Sequence, residues 1–144
     1  MDINGASAIV TGGASGIGAA VARQLAAKGA KVVVADLNAE KGEELANEIG
    51  GVFAPVDVTK TEQIKAAIEQ AEELGPVRVL VNSAGIGWAQ RTVGRDGTYE
   101  SAADLDAFSK VVAINLIGTF DCVRLVGTAI ARTQPPNVGV DADR

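Results

Sequence analysis

Residues Thr11–Gly18 read Thr-Gly-Gly-Ala-Ser-Gly-Ile-Gly, directly after the apolar run Ala8-Ile9-Val10. Glycine at this density marks a backbone that turns tightly, or one that something approaches closely. Between a strand and a helix, such a loop aims helix-end amides at a pyrophosphate, and the missing side chains let the anion come near. The spacing here is Gly12-x-x-x-Gly16-x-Gly18, unlike the G-x-G-x-x-G of other dinucleotide folds. On this stretch alone, a plain loop and a phosphate cradle are both open. The surroundings decide between them.

Runs rich in β-branched and small apolar residues occur at Ala8–Thr11, Lys31–Asp36 and Val77–Asn82, with a weaker one at Gly51–Val56. Apolar character on both faces suits parallel strands covered on both sides by helices. Helical patterns lie between them. Ile17–Lys28 sets Val21 and Leu25 in register and ends at Gly29, a natural C-cap. Ala39–Ile49 sets Leu45 and Ile49 on one side and stops at Gly50-Gly51. Thr59-Lys60-Thr61-Glu62 has the form of a capping box, opening a helix to Leu74 with Ile64 and Ile68 inward. This alternation predicts a right-handed parallel α/β fold. Residues 86–101, with Gly87, Gly94 and Gly97, read as a long excursion, which in compact domains is usually functional or mobile. Helix returns from Ala103 to Arg132, expected as two helices, and Gln134–Gly139 cannot be regular structure.

The composition narrows the function classes. At 144 residues the chain is the size of one domain, and 18 acidic against 13 basic residues, with no basic cluster, argue against nucleic acid or an anionic membrane. A single cysteine, Cys122, forms no internal disulfide and suits a reducing compartment. The absence of histidine excludes His-ligated zinc and Ser-His-Asp triads. No uninterrupted apolar run reaches membrane length, and Met1–Gly5 is too short for a targeting peptide. The expectation is a cytoplasmic protein without a membrane partner.

Asp36 closes the second strand about 20 residues beyond the glycine loop, where a carboxylate can accept both hydroxyls of an adenosine ribose. It can also simply cap a turn with Leu37-Asn38. A 2′-phosphate would sit against its charge, and no arginine follows to offset the repulsion, so NAD rather than NADP is expected. Asp57 and Val58 end the third strand, placed either for an adenine amino group and ring or as a solvated turn. The fourth strand ends Asn82-Ser83-Ala84-Gly85, small enough to leave room for a ribose, or a simple turn. The candidate cofactor contacts are therefore Gly12, Ser15, Gly16, Ile17, Gly18, Asp36, Leu37, Asp57, Val58, Asn82, Ser83, Ala84 and Gly85.

Together these pieces resemble the short-chain dehydrogenase/reductase family over the whole chain. Thr11–Gly18 matches its T-G-x-x-x-G-x-G loop, and Asn82–Gly85 its N-N-A-G signature with Ser83 in place of an asparagine. Asn115, in Ala113–Phe120, matches the helical asparagine of its catalytic tetrad. Within the family, "VFAPVDVT", "VNSAGIGWAQRT" and "AINLIGTFDCVRLV" are similar to the type 2 3-hydroxyacyl-CoA dehydrogenases, or 17β-hydroxysteroid dehydrogenase type 10 group. That group carries a comparable insertion, here about Thr92–Ser101. The resemblance implies a Rossmann-type, doubly wound sheet of order 3-2-1-4 with its crevice between strands 1 and 4. It implies NAD, and a secondary alcohol on an acyl-CoA, or on a steroid-like molecule, as substrate. A homotetramer is implied for the complete enzyme.

Family chemistry also needs a serine, and a tyrosine with a lysine four residues later to lower its pKa. Tyr99 is the one tyrosine, and Ala103 stands four residues on. The expectation is thus that residues 1–144 form the N-terminal, NAD-binding part of a single domain, with the remaining strands, the serine and Tyr-x-x-x-Lys absent. Asn115 is the one tetrad member, implied to hold a water. Non-catalytic NAD binding and a structural remnant are the competing readings. Cys122 reads as a buried apolar residue rather than a nucleophile. Trp88 and the insertion either line a substrate cleft or cover the sheet end.

Overall fold

The computed structural model describes residues 2–133, so the expected irregular tail at Gln134–Gly139 lies outside them. Four parallel strands, β1 (Ser7–Thr11), β2 (Lys31–Asp36), β3 (Val52–Pro55) and β4 (Val77–Asn82), stand in the order β3-β2-β1-β4. This is the expected order, and β4 is an edge among the described residues. Alternate side chains feed two cores, as a sheet covered on both faces requires. Val10, Val32 and Val34 pack with Ala19, Ala22 and Leu45 of α1 (Gly16–Ala27) and α2 (Ala39–Ile49). Ile9, Val33 and Ala54 pack with Ile64 and Ile68 of α3 (Thr61–Leu74), and with Cys122 and Val126 beyond.

The helix ends follow from their residues. At the end of α1, Gly29 N–H donates to Ala26 O and Ala30 N–H to Leu25 O, the pairing of a glycine-terminated Schellman motif. Asn38 caps α2 by accepting from the Lys41 amide at 3.0 Å. The capping box at Thr59–Glu62 is not formed. Lys60, one residue on, is the N-cap of α3 without a side-chain bond, and the Thr59 hydroxyl donates to Asp57 Oδ1 at 2.7 Å. That charge-assisted bond, with the Thr59 amide donating to the same oxygen, ties Thr59 to Asp57 ahead of the helix. Gln63 then reaches back, its Oε1 accepting from Asp57 N–H at 2.6 Å.

The two helices expected over 103–132 run on without a break. α4 (Leu105–Val112) leads into a π-helical segment, Ala113–Gly118, and then α5 (Thr119–Thr133), with both junctions in ordinary right-handed geometry. Arg78 on β4 closes this helix, its guanidinium donating to Thr133 O at 3.0 Å. The stretch from Tyr99 to Thr133 is also long and apolar enough, by length and composition, to cross a bilayer. Its apolar residues form no uninterrupted run of that length, because Lys110, Asp121 and Arg124 break it up. One side of α5 packs on β4 and α3. Along the continuous helix, Leu105 and Phe108 of α4, Leu116 of the π-helical segment, and Phe120 and Val123 of α5 are exposed.

The excursion is built by its own bonds. Asp96 accepts from the Thr98 amide and from the Thr98 and Ser101 hydroxyls, Ala103 N–H returns to Thr92 O, and Asp104 N–H donates to Gln90 Oε1. Trp88 packs edge-on against Phe108, with ring centroids 6.4 Å apart.

Candidate functional site

A cleft of about 440 Å³ opens where β1 and β4 part, at the carboxyl ends of the strands. Such a switch point is where doubly wound sheets hold their ligands. Its near wall is the glycine loop. Thr11 fastens that loop to β4: its carbonyl accepts from Ser83 N–H at 3.0 Å, and its hydroxyl accepts from Ala84 N–H at 3.4 Å. Gly12 follows with φ +63, and a Cβ there would lie 2.6 Å from Ala84 N, so only glycine lets the two strand ends meet. At Gly16, φ is +53 and a Cβ would meet nothing within 4 Å. The space in front of this residue is open. Ser15, the N-cap of α1, makes no side-chain cap bond, so the first-turn amides of α1 face the cleft without a partner from that residue.

Asp36 stands across from them. Its Oδ2 accepts from Ala14 N–H and its Oδ1 from Asn38 N–H, each at 2.9 Å. Both readings of Asp36 are therefore physically present, a turn partner and a carboxylate aimed along the cleft wall. Each oxygen keeps a lone pair for another donor. Further along, the Thr59 hydroxyl and amide hold the Asp57 carboxyl below the usual aspartate range.

Of the candidate residues, Gly12, Ser15, Gly16, Ile17, Asp36, Leu37, Asp57, Val58, Ser83, Ala84 and Gly85 all line this one cleft. Gly18 and Asn82 do not. Gly18 lies against the loop, its missing Cβ only 2.1 Å from Gly12 O, and the Asn82 amide oxygen accepts from the Thr11 hydroxyl at 3.5 Å. Val56, Ile86 and Ile114 also line the cleft and carried no sequence signal, since apolar residues declare no role until the chain folds. Asn115 sits behind the wall, within the π-helical segment, a distortion common at functional sites. Its Oδ1 accepts from Ile86 N–H at 2.9 Å and its Nδ2 donates to Ile86 O at 2.8 Å, a two-point clamp on the strand exit. Burial raises the Cys122 thiol to about 11, with Asp121 adding to it. Among the described residues no group of metal-ligating side chains forms.

A three-layer α/β domain with bare helix amides, a facing carboxylate and a cleft at the switch point belongs to the Rossmann-type dinucleotide-binding class. Within it, the family model for short chain dehydrogenases matches residues 6–137, and the chain belongs to that family. It is 40% identical over 140 residues to 3-hydroxyacyl-CoA dehydrogenase type-2 of Drosophila melanogaster, covering 95% of this chain and 54% of the relative. To D-threitol dehydrogenase of Mycolicibacterium smegmatis it is 42% identical over 132 residues, 87% of this chain and 47% of the relative. The crystal structure of 3-hydroxyacyl-CoA dehydrogenase type-2 from Mycobacterium avium superposes with a TM-score of 0.86 at 46% identity, covering 92% of this chain and 52% of that one. The chain spans about half the length of these relatives.

Proposed function

We propose that the cleft binds NAD and that the activity of the longer enzyme it serves is oxidation of a secondary alcohol, foremost a 3-hydroxyacyl-CoA and next a hydroxysteroid. One observation carries the reading: the bare amides of Ser15–Ile17 and the doubly anchored Asp36 carboxylate face one cleft, anion receptor beside hydroxyl acceptor. The residues fit the dinucleotide. Open space before Gly16 suits a pyrophosphate, and Asp36 suits a free ribose diol while opposing a 2′-phosphate. Asp57 and Val58 suit the adenine, and Ser83–Gly85 with Ile86 suit the nicotinamide ribose. When bound, the nicotinamide accepts hydride from the alcohol carbon.

This chain's own residues bind and orient. Asn115 fixes Ile86 and, through it, the wall at the reacting end. Within the sequence nothing is suited to take the alcohol proton, because Tyr99 is 97% exposed and no lysine stands four residues after it. Similarity to the acyl-CoA dehydrogenases supports the first substrate class. The apolar face of Leu105, Phe108, Leu116, Phe120 and Val123 supports a homotetramer, and the single buried thiol supports a cytoplasmic location. The chain thus forms the cofactor-binding part of a single catalytic domain.

The test is NADH formation from a 3-hydroxyacyl-CoA by this chain, beside a version lengthened through a serine-bearing strand and a Tyr-x-x-x-Lys helix. General-base help is worth about 10²–10⁴-fold, so the short chain is expected to be silent and the long one active. Comparable turnover by both would place the active site elsewhere.

A further inference from the structure

The adenine end of the cleft is held from behind by the helix that carries Asn115. Val58 lines the cleft and is 7% exposed. Behind it stands Gly118, the last residue of the π-helical segment. A Cβ on Gly118 would lie 2.7 Å from Val58 Cγ2 and 3.0 Å from Val58 O, closer than packed atoms come. Three residues on, Asp121 is buried on the same helix side and accepts a 2.7 Å hydrogen bond from Thr61 Oγ1. Its other oxygen lies against the Arg124 guanidinium as a charge contact, without an aligned hydrogen bond. Gly118 and Asp121 therefore grip both ends of the segment Val58–Thr61. The Asp57 carboxylate is tied into that segment through the Thr59 amide and hydroxyl. Burying an acid is costly, and the hydride chemistry gives Asp121 no role, so its placement needs another reason.

We propose that Gly118 and Asp121 are positioning residues for adenine recognition. They hold the 57–61 turn so that Asp57 receives the adenine amino group while Val58 backs the ring. The inference rests on the NAD-binding reading above. It extends that reading to residues that touch no part of the cofactor.

The test titrates the purified chain with NAD and with its hypoxanthine analogue, in which an oxo group replaces the adenine amino group. One hydrogen bond to a charged acceptor predicts about a tenfold preference for NAD in the unmodified chain. Gly118→Ala pushes Val58 forward, and Thr61→Val removes the Asp121 partner. Each is expected to reduce the preference to about threefold or less of the original tenfold scale. Thr61→Ser, which keeps the hydroxyl, restores it. A merely structural role would weaken both dinucleotides alike and leave their ratio unchanged, which overturns the inference. An unmodified chain that binds both dinucleotides equally also overturns it. An unmodified chain that binds neither refutes the NAD reading itself.

Discussion

Replacing Asp36 with alanine is expected to erase the discrimination between NAD and NADP. The carboxylate is held by the Ala14 and Asn38 amides at 2.9 Å each, so it cannot swing away from a 2′-phosphate. Two unit charges about 4 Å apart repel by about 4 kcal/mol at an effective dielectric near 20. Asp36 is only partly buried, and salt screens over about 8 Å, so the effective penalty is nearer 3 kcal/mol, or about a hundredfold. Asp36→Ala removes this penalty and also frees two amides that favour an anion. It costs NAD its charged ribose acceptor, worth about 1.5–3 kcal/mol. The gain for NADP and the loss for NAD converge. NAD should weaken by about tenfold or more while NADP tightens, bringing the ratio close to unity. Isothermal titration of both dinucleotides against both proteins measures this directly. Equal affinities for NAD and NADP in the unmodified chain would refute the assignment of Asp36.

Three further outcomes follow from the geometry. Asn115→Ala deletes both bonds to Ile86, and since the pair is solvent-accessible the loss is about 1 kcal/mol; amide exchange at Ile86 should quicken while global unfolding shifts little. Cys122, fully buried with its thiol raised to about 11, should resist a thiol reagent at mildly alkaline pH until denaturant is added; fast labelling of the folded chain would contradict its packing. Asp57 is held below the usual aspartate range, so the stability it contributes is complete above the unfolded value and disappears as pH falls through the folded one. A carbon-detected titration should give its midpoint below that of an unstructured aspartate, and Thr59→Ala should raise it.

The strands and the glycine loop were legible in the sequence because their signals are local. Ala8-Ile9-Val10 and Val32-Val33-Val34 are apolar on both faces, and such runs place themselves inside a covered parallel sheet. Gly12 and Asp36 were legible because backbone geometry and charge restrict which residues can stand there. The capping box at Thr59 was misread because the helix opens one residue later, after Lys60, and the Thr59 hydroxyl donates to Asp57 instead of accepting from the first turn. The π-helical segment at Ala113–Gly118 left no signature, since one extra residue in a turn depends on what the helix meets. Here it meets Val58 through Gly118 and Ile86 through Asn115. Val56, Ile86 and Ile114 entered the cleft wall for the same reason: apolar residues acquire a site only from tertiary placement.

The central claim is that the cleft between β1 and β4 receives NAD. Backbone amide shifts of the isotope-labelled chain, followed as NAD is added, test it most directly. The account predicts saturable shifts at Ser15–Gly18, Asp36–Leu37, Asp57–Val58 and Ser83–Ile86, with the solvent-facing side of α2 unmoved. Saturable shifts centred on any other surface, or none at all, would contradict it.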